Sequence, residues 1–232
     1  MQVIKRRGIR EELDIEKIHI MLNKCCEGLS GVSVSEVAMK SKIQFYDGMT
    51  TSDIQDILIR SAVDLIGVKK PNYQFVASRL LLTKVRKDIW NSYTPPKLID
   101  IVLTNSKSGF YDKDLPELYT SKEWDILDSY INHDRDENLT HAAMYSFVDK
   151  YLVKNRVTGQ LFETPQIAYM LVAAILFKGQ SLSKVKEFYD ALSLHKISMA
   201  TPILAGVRTS VKQYSSCVLI EADDSLDSQF AT

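Results

Sequence analysis

The sequence predicts a mainly α protein that opens on a small β-hairpin and closes on one buried strand. Three observations carry that expectation. Apolar residues recur at three- and four-residue spacing through most of the 232 positions, the period of an amphipathic helix. A short extended stretch at the N-terminus turns back around Arg7-Gly8. Near the C-terminus the period changes, and Cys217-Val218-Leu219-Ile220 is a compact apolar run within an extended segment, 211–222.

Taken in order, Val3-Ile4-Lys5-Arg6 and residues 9–13 read as the two strands of the hairpin. Asp14 then caps a helix whose Ile15, Ile18, Leu22, Cys25 and Leu29 share one face. Ser33-Val34-Ser35-Glu36 has the form of a capping box opening a second helix. Thr51-Ser52-Asp53 begins a third, which turns Ile54, Ile57, Leu58, Ala62 and Leu65 inward. Pro71 stands near the start of a fourth, running through Ala77, Leu80, Leu81 and Lys84 to about Trp90. The result is a hairpin over a four-helix bundle. Tyr93-Thr94-Pro95-Pro96 breaks the pattern and marks a module boundary, giving modules at 1–92 and 93–210 and a final segment at 211–232. Helices are expected at 96–106, 121–131, 142–151, 164–179 and 183–194, with turn-like or short extended connections at 110–115 and 156–162. Residues 223–228 follow the strand as a polar loop. A strand needs edge partners for its backbone groups. No second strand is evident beside this one, so either another chain supplies the sheet or the chain is truncated.

Apolar residues make up 45% and charged residues 25%, a balance that can fill a core. Net charge is zero, which gives no reason to expect a nucleic-acid or membrane partner. The distribution is uneven: residues 1–90 carry 15 Lys/Arg against 11 Asp/Glu, and the remainder 14 against 18. A mildly basic front suits a small phosphorylated ligand better than a long polyanion. The three cysteines, Cys25, Cys26 and Cys217, form neither a CxxC nor a zinc spacing, which favours a reducing compartment. The N-terminus runs straight into Lys5-Arg6-Arg7, unlike a signal peptide, and the longest apolar run, 167–177, is too short for a bilayer. A soluble cytoplasmic protein is expected.

The stretch Val3-Ile-Lys-Arg-Arg-Gly-Ile-Arg-Glu-Glu-Leu-Asp-Ile-Glu-Lys-Ile resembles the ATP-cone, the allosteric domain at the front of many ribonucleotide reductases. Ile43-Gln-Phe-Tyr-Asp-Gly-Met-Thr-Thr-Ser-Asp-Ile and the helix ending Arg86-Lys87 match the same pattern. Taken singly the lysines are ordinary surface charges. A hairpin followed by a capped helix nevertheless presents N–H groups and a positive dipole end, where phosphates bind. The resemblance implies that ATP or dATP lies along Glu11, Glu12, Leu13, Asp14, Ile15, Glu16 and Lys17, with Lys5, Thr51 and Lys87 completing the site. Gln55 stands where relatives often have His, so strong inhibition by dATP does not follow from the likeness.

His133-Asp134-Arg135-Asp136, Lys150-Tyr-Leu-Val-Lys-Asn-Arg-Val-Thr-Gly and Glu163-Thr-Pro-Gln resemble the all-helical N-terminal region of reductase large subunits. By themselves His133 and Asp134 fit a capping or surface role better than a metal or acid–base pair. Ala200-Thr-Pro-Ile-Leu-Ala-Gly-Val-Arg-Thr, Gln213-Tyr-Ser-Ser-Cys-Val-Leu-Ile-Glu and Asp224-Ser-Leu-Asp-Ser resemble that family's substrate and specificity segment. Without that context, Cys217 in an apolar strand reads as a buried structural thiol. Within it, the likeness makes Cys217 the redox cysteine on the first strand of an α/β barrel, forming a disulfide with a second cysteine far downstream. It also implies that Thr201, Ser215 and Ser216 hold substrate, and that Asp224, Ser225 and Leu226 contact a deoxynucleoside triphosphate specificity effector. Ala222-Asp223 stands where relatives often have Cys-Gly.

The family likeness implies an aerobic-type ribonucleoside-diphosphate reductase large subunit, here its N-terminal portion in a split or truncated chain. Such an enzyme also needs a thiyl-radical cysteine, a second redox cysteine and a C-terminal cysteine tail, none of which has a counterpart here. The expected partners are a second polypeptide carrying the rest of the barrel, a small subunit bearing a di-iron tyrosyl-radical centre, and a thioredoxin- or glutaredoxin-type reductant. The substrate is a ribonucleoside diphosphate, and no metal is expected in this chain. A free-standing ATP-cone regulator is the other class to consider. Regulators of that kind carry a four-cysteine zinc ribbon, and they would have no use for Ser215-Ser216-Cys217.

Overall fold

The computed structural model of the chain describes residues 1–217 and 219–231. Strands β1 (Gln2–Ile4) and β2 (Arg10–Glu12) pair antiparallel, with Gln2 opposite Glu12, Val3 opposite Glu11 and Ile4 opposite Arg10. Gly8, at φ +78°, gives the turn a left-handed conformation that a side chain would strain. Val3 points into the front core, and Ile4 N–H donates to the Met49 carbonyl at 2.9 Å, which ties the hairpin to the loop before the third helix.

Four helices lie beneath the hairpin: α1 (Ile15–Cys26), α2 (Val34–Lys42), α3 (Thr51–Val63) and α4 (Tyr73–Trp90). Local side chains fix where they start. Asp14 caps α1, and Thr50 with Asp53 forms a reciprocal capping box on α3. The box expected at Ser33 is only half made. Ser33 accepts from Glu36 N–H, but the Glu36 carboxylate turns away to the Tyr73 hydroxyl at 2.7 Å and to Lys70. Ile18, Leu22, Val37, Ile54, Leu58, Tyr73, Val76 and Leu80 fill the core between these helices.

The second core is larger and lies beyond. It is built from α5 (Leu98–Lys107), α6 (Ser121–Tyr130), α7 (His141–Ser146), α8 (Pro165–Leu176) and α9 (Leu182–Ser193). Helix α8 is its centre: every residue from Pro165 to Ala174 is buried, as expected of a helix apolar all round. Short 3₁₀ turns at Leu115–Leu118 and His133–Asn138 join the layers, and α7 runs on into one π turn, Phe147–Tyr151. A six-residue α10 (Thr201–Gly206) follows α9.

Helix α4 belongs to both cores. Tyr73 to Leu80 pack into the front one, while Leu82 and Val85 pack into the larger one, where Ile89 and Trp90 lie against them. Two arginines of α4 also reach across to the 3₁₀ turn. Arg79 Nε donates to the Glu137 carbonyl at 3.2 Å and Arg86 Nη2 to the His133 carbonyl at 3.1 Å.

The terminal segment departs from expectation. Residues 211–217 and 219–223 form neither helix nor strand, and Leu219 and Ile220 are exposed, so the buried strand over 211–222 is not formed among the described residues. Val218 lies outside them. The only sheet among the described residues is the distant hairpin, so nothing here offers an edge on which such a strand could pair. The expected polar loop is instead partly helical: α11 (Leu226–Ala231) begins with Ser228 N–H donating to Ser225 Oγ at 3.2 Å. Among the described residues no helix is long and apolar enough to cross a membrane.

Candidate functional site

The hairpin does not sit flush on the bundle. Between its inner face, α1, the first turn of α3 and the end of α4 lies an open cavity of about 370 Å³. Seven of the residues expected there line it: Lys5 and Glu11 from the hairpin, Leu13, Asp14 and Lys17 at the start of α1, Thr51 on α3, and Lys87 on α4. Glu12, Ile15 and Glu16 do not. Glu12 faces outward on β2 and Glu16 is exposed. Ile15, 54% exposed, lines a separate apolar groove with Met39 and Phe45.

Five cations face this cavity, Lys5, Arg6, Arg7, Lys17 and Lys87, against the two carboxylates Glu11 and Asp14. Lys5 pairs with Glu11 at 2.7 Å, Lys17 with Asp14 at 3.4 Å, and Arg6 with Asp88 at 2.9 Å while also donating to the Gln55 side chain. Lys87 pairs with no carboxylate among the described residues. Its ammonium sits 4.0 Å from the centre of the Tyr93 ring and 3.4 Å from the Asn91 carbonyl. Burial, with Arg6 and Lys5 nearby, holds Lys87 below the usual lysine value. Such a cation gains from an arriving anion, which replaces a weak ring contact with a charge-assisted hydrogen bond. Val3, Leu13, Ile18, Met21 and Ile54 form the apolar part of the cavity wall.

The start of α1 contributes less than its sequence suggests. The Asp14 carboxylate already accepts the Glu16 and Lys17 N–H groups at 3.0 and 3.4 Å. Burial raises that carboxyl, but the Lys17 N–H, side chain and charge outweigh it and leave it below its ordinary value. With those N–H groups taken, the positive charge that faces the cavity is that of the side-chain cations.

Sequence reasoning missed Arg6, Arg7, Asn91 and Tyr93 as parts of the cavity. The Arg6-Arg7-Gly8 turn carried a signal, a doubled positive charge at a hairpin tip. Asn91 and Tyr93 carried none, because their approach depends on Asn91 ending α4 in the left-handed region, at φ 52°.

The remaining expected residues lie exposed toward the C-terminal end of the chain. Ser215, Ser216 and Cys217 are exposed in sequence order, with Ser216 Oγ 3.8 Å from Cys217 Sγ. Cys217 is thus not a buried structural thiol here. Thr201 is the exposed first residue of α10, and Asp224, Ser225 and Leu226 lie exposed at the start of α11.

Residues 1–88 match the ATP cone domain, and residues 137–211 match the ribonucleotide reductase all-alpha domain. The chain is 48% identical over 236 residues to the ribonucleoside-diphosphate reductase subunit alpha of Haemophilus influenzae, covering 100% of this chain and 31% of that protein. It is also 48% identical over 234 residues to ribonucleoside-diphosphate reductase 1 subunit alpha of Escherichia coli, covering 99% and 31%. Against the subunit alpha of Enterobacteria phage T4 the identity is 41% over 231 residues, covering 98% and 30%. Fold, cavity and matches together define a nucleotide-binding cone joined to an all-helical reductase domain. The chain belongs to the ribonucleotide reductase family and corresponds to the N-terminal region of its large, or alpha, subunits, spanning 31% of the length of the first two relatives.

Proposed function

We propose that this chain is the effector-sensing and substrate-entry portion of a ribonucleoside-diphosphate reductase large subunit. In this reading ATP or dATP occupies the cavity under the hairpin. The triphosphate meets Lys5, Arg6, Arg7, Lys17 and Lys87, and the base meets the apolar wall. The observation that carries it is Lys87, a half-buried cation without a carboxylate partner among the described residues, facing a cavity lined by both cations and apolar side chains. The modules divide as 1–92, 93–210 and 211–232. Thr201, Ser215 and Ser216 serve substrate binding, Asp224, Ser225 and Leu226 the specificity effector, and Cys217 reduction of the ribose. The thiyl-radical cysteine and the other barrel strands come from the rest of the large subunit. A small subunit with a di-iron centre supplies the radical, and a dithiol protein of the cytoplasm re-reduces the cysteines. With an all-helical reductase domain behind the cone, the free-standing regulator is the weaker reading.

Calorimetric titration of the chain with ATP tests the cone. Binding is expected, and Lys87→Ala, which deletes one charge-assisted contact of roughly 1.5–3 kcal/mol, is expected to weaken it tenfold or more. A folded chain that takes up no ATP would sink the reading.

A further inference from the structure

The segment bearing Ser215, Ser216 and Cys217 is exposed, yet the chain just before it is firmly held. Arg208 is 0% exposed and so is its partner Glu163, a charge pair buried beneath α10. Arg208 Nε donates to both Glu163 oxygens at 2.9 and 2.8 Å, Nη2 donates to Glu163 and, at 2.8 Å, to the Tyr151 carbonyl, and Nη1 donates to the Leu204 carbonyl. Glu163 is filled from its other side by the Tyr111 hydroxyl at 2.6 Å and the Val153 N–H at 2.7 Å. A buried ion pair adds little net stability over an apolar replacement, and its best-attested use is to fix one register. Here that register is where the chain leaves the helical domain. A second hold follows at once. Asp112 N–H donates to the Arg208 carbonyl at 2.9 Å, and the Asp112 carboxylate takes the Lys212 ammonium, which keeps that carboxyl below its ordinary value. Only Gln213 and Tyr214 then stand between Lys212 and Ser215-Ser216-Cys217.

We propose that Arg208, Glu163, Asp112 and Lys212 form an anchor that positions the Ser215–Cys217 segment, acting as positioning residues for the groups proposed above to meet substrate. None of the four touches those groups. They set the origin and direction from which the segment extends. The functional half of this inference rests on the reading of that segment as the substrate segment. The anchoring half does not.

The test uses the chain carrying Cys26→Ser and Lys122→Cys, with nitroxide labels on Cys217 and on residue 122 of α6, both exposed, while Cys25 stays buried. Pulsed electron resonance reads the distance distribution between the labels. Lys212→Ala removes a contact that is 56% exposed on the lysine side and so leaves folding intact. The distribution is expected to broaden at least twofold, and Lys212→Arg, which keeps the charge, to restore it. Arg208→Gln should broaden it further. An unchanged distribution in Lys212→Ala, or a broadening that Lys212→Arg does not reverse, overturns the anchor. In a complete reductase the same Lys212→Ala change is expected to raise KM for the ribonucleoside diphosphate about threefold or more with kcat less affected. Broadening with an unmoved KM would uphold the anchor and sink the substrate reading of Ser215–Cys217 instead.

Discussion

Cys217→Ser is expected to abolish multiple-turnover reduction of ribonucleoside diphosphates by the complete enzyme when a dithiol protein is the reductant, while ATP binding at the cone is unchanged. The proposed role makes the Cys217 thiol the source of an electron and proton pair for the ribose, regenerated through a disulfide. A serine hydroxyl can enter neither step. The exchange swaps a sulfur for an oxygen at an exposed position, so neither packing nor global stability should move. The assay is deoxynucleotide formed per enzyme over many turnovers, beside calorimetry of ATP binding for the same variant. Continued turnover at the parental rate would return Cys217 to the status of an incidental thiol.

Asp136→Asn is expected to stabilise the chain at pH 8 and to change it little near pH 4, the lower edge of the window in which the two states differ. Asp136 is fully buried, in the 3₁₀ turn His133–Asn138, and one of its oxygens has no hydrogen-bond partner. Burial pushes its carboxyl up to about 7, against the opposing pull of the Gln166 side chain, which donates to it at 2.9 Å, and of Arg86. Burial raises the hydroxyls of Tyr169 from α8 and Tyr189 from α9, and both lie near enough for the Asp136 charge to push them up further. The folded carboxyl therefore keeps its proton between about pH 4 and 7, where the unfolded chain has already released it. The unfolded state binds fewer protons there, so stability falls as pH rises through that window. An amide cannot ionise and escapes the loss. At about 1.4 kcal/mol for each pKa unit, the variant's advantage should grow by on the order of 4 kcal/mol across the window. That corresponds to a difference in melting temperature on the order of 10 °C. His133, which burial pushes down to about 4, titrates in both proteins and cancels in the comparison. If the advantage of the Asp136→Asn variant were the same at pH 4 and pH 8, Asp136 would not be the group that carries the proton.

The elements that the sequence revealed are those whose signals are local. Asp14 announces the start of α1 because its side chain accepts the N–H groups two and three residues on. Gly8 announces the hairpin turn by the backbone angle it permits. Lys5, Lys17 and Lys87 were legible through the resemblance to the ATP-cone, whereas Arg6 and Arg7, which line the same cavity, were not read from it. What stayed hidden depends on distant partners. Glu163 and Arg208 are 45 residues apart and look like two ordinary charges until the fold closes over both. Glu36 matched a capping box but found better partners in Tyr73 and Lys70, more than 30 positions away. The apolar run at Cys217 has strand composition, but a strand is a relation between two segments, and no second edge stands near it among the described residues.

The sharing of α4 between the two cores has a thermodynamic consequence. At 18 residues the helix is about 27 Å long, a single rod running from one core into the other. Melting the cone would strip Tyr73, Val76 and Leu80 from one end, yet the hydrogen bonds of the following turns are built on Leu82 and Val85, which the larger core holds. Neither module can be lost without fraying a helix that the other needs. The chain should therefore give one calorimetric peak, with van't Hoff and measured enthalpies in agreement, despite having two hydrophobic clusters. A nucleotide that tightens the cone would then raise the melting point of residues far from its own pocket, Trp124 and Tyr189 among them, because all of them share that one transition.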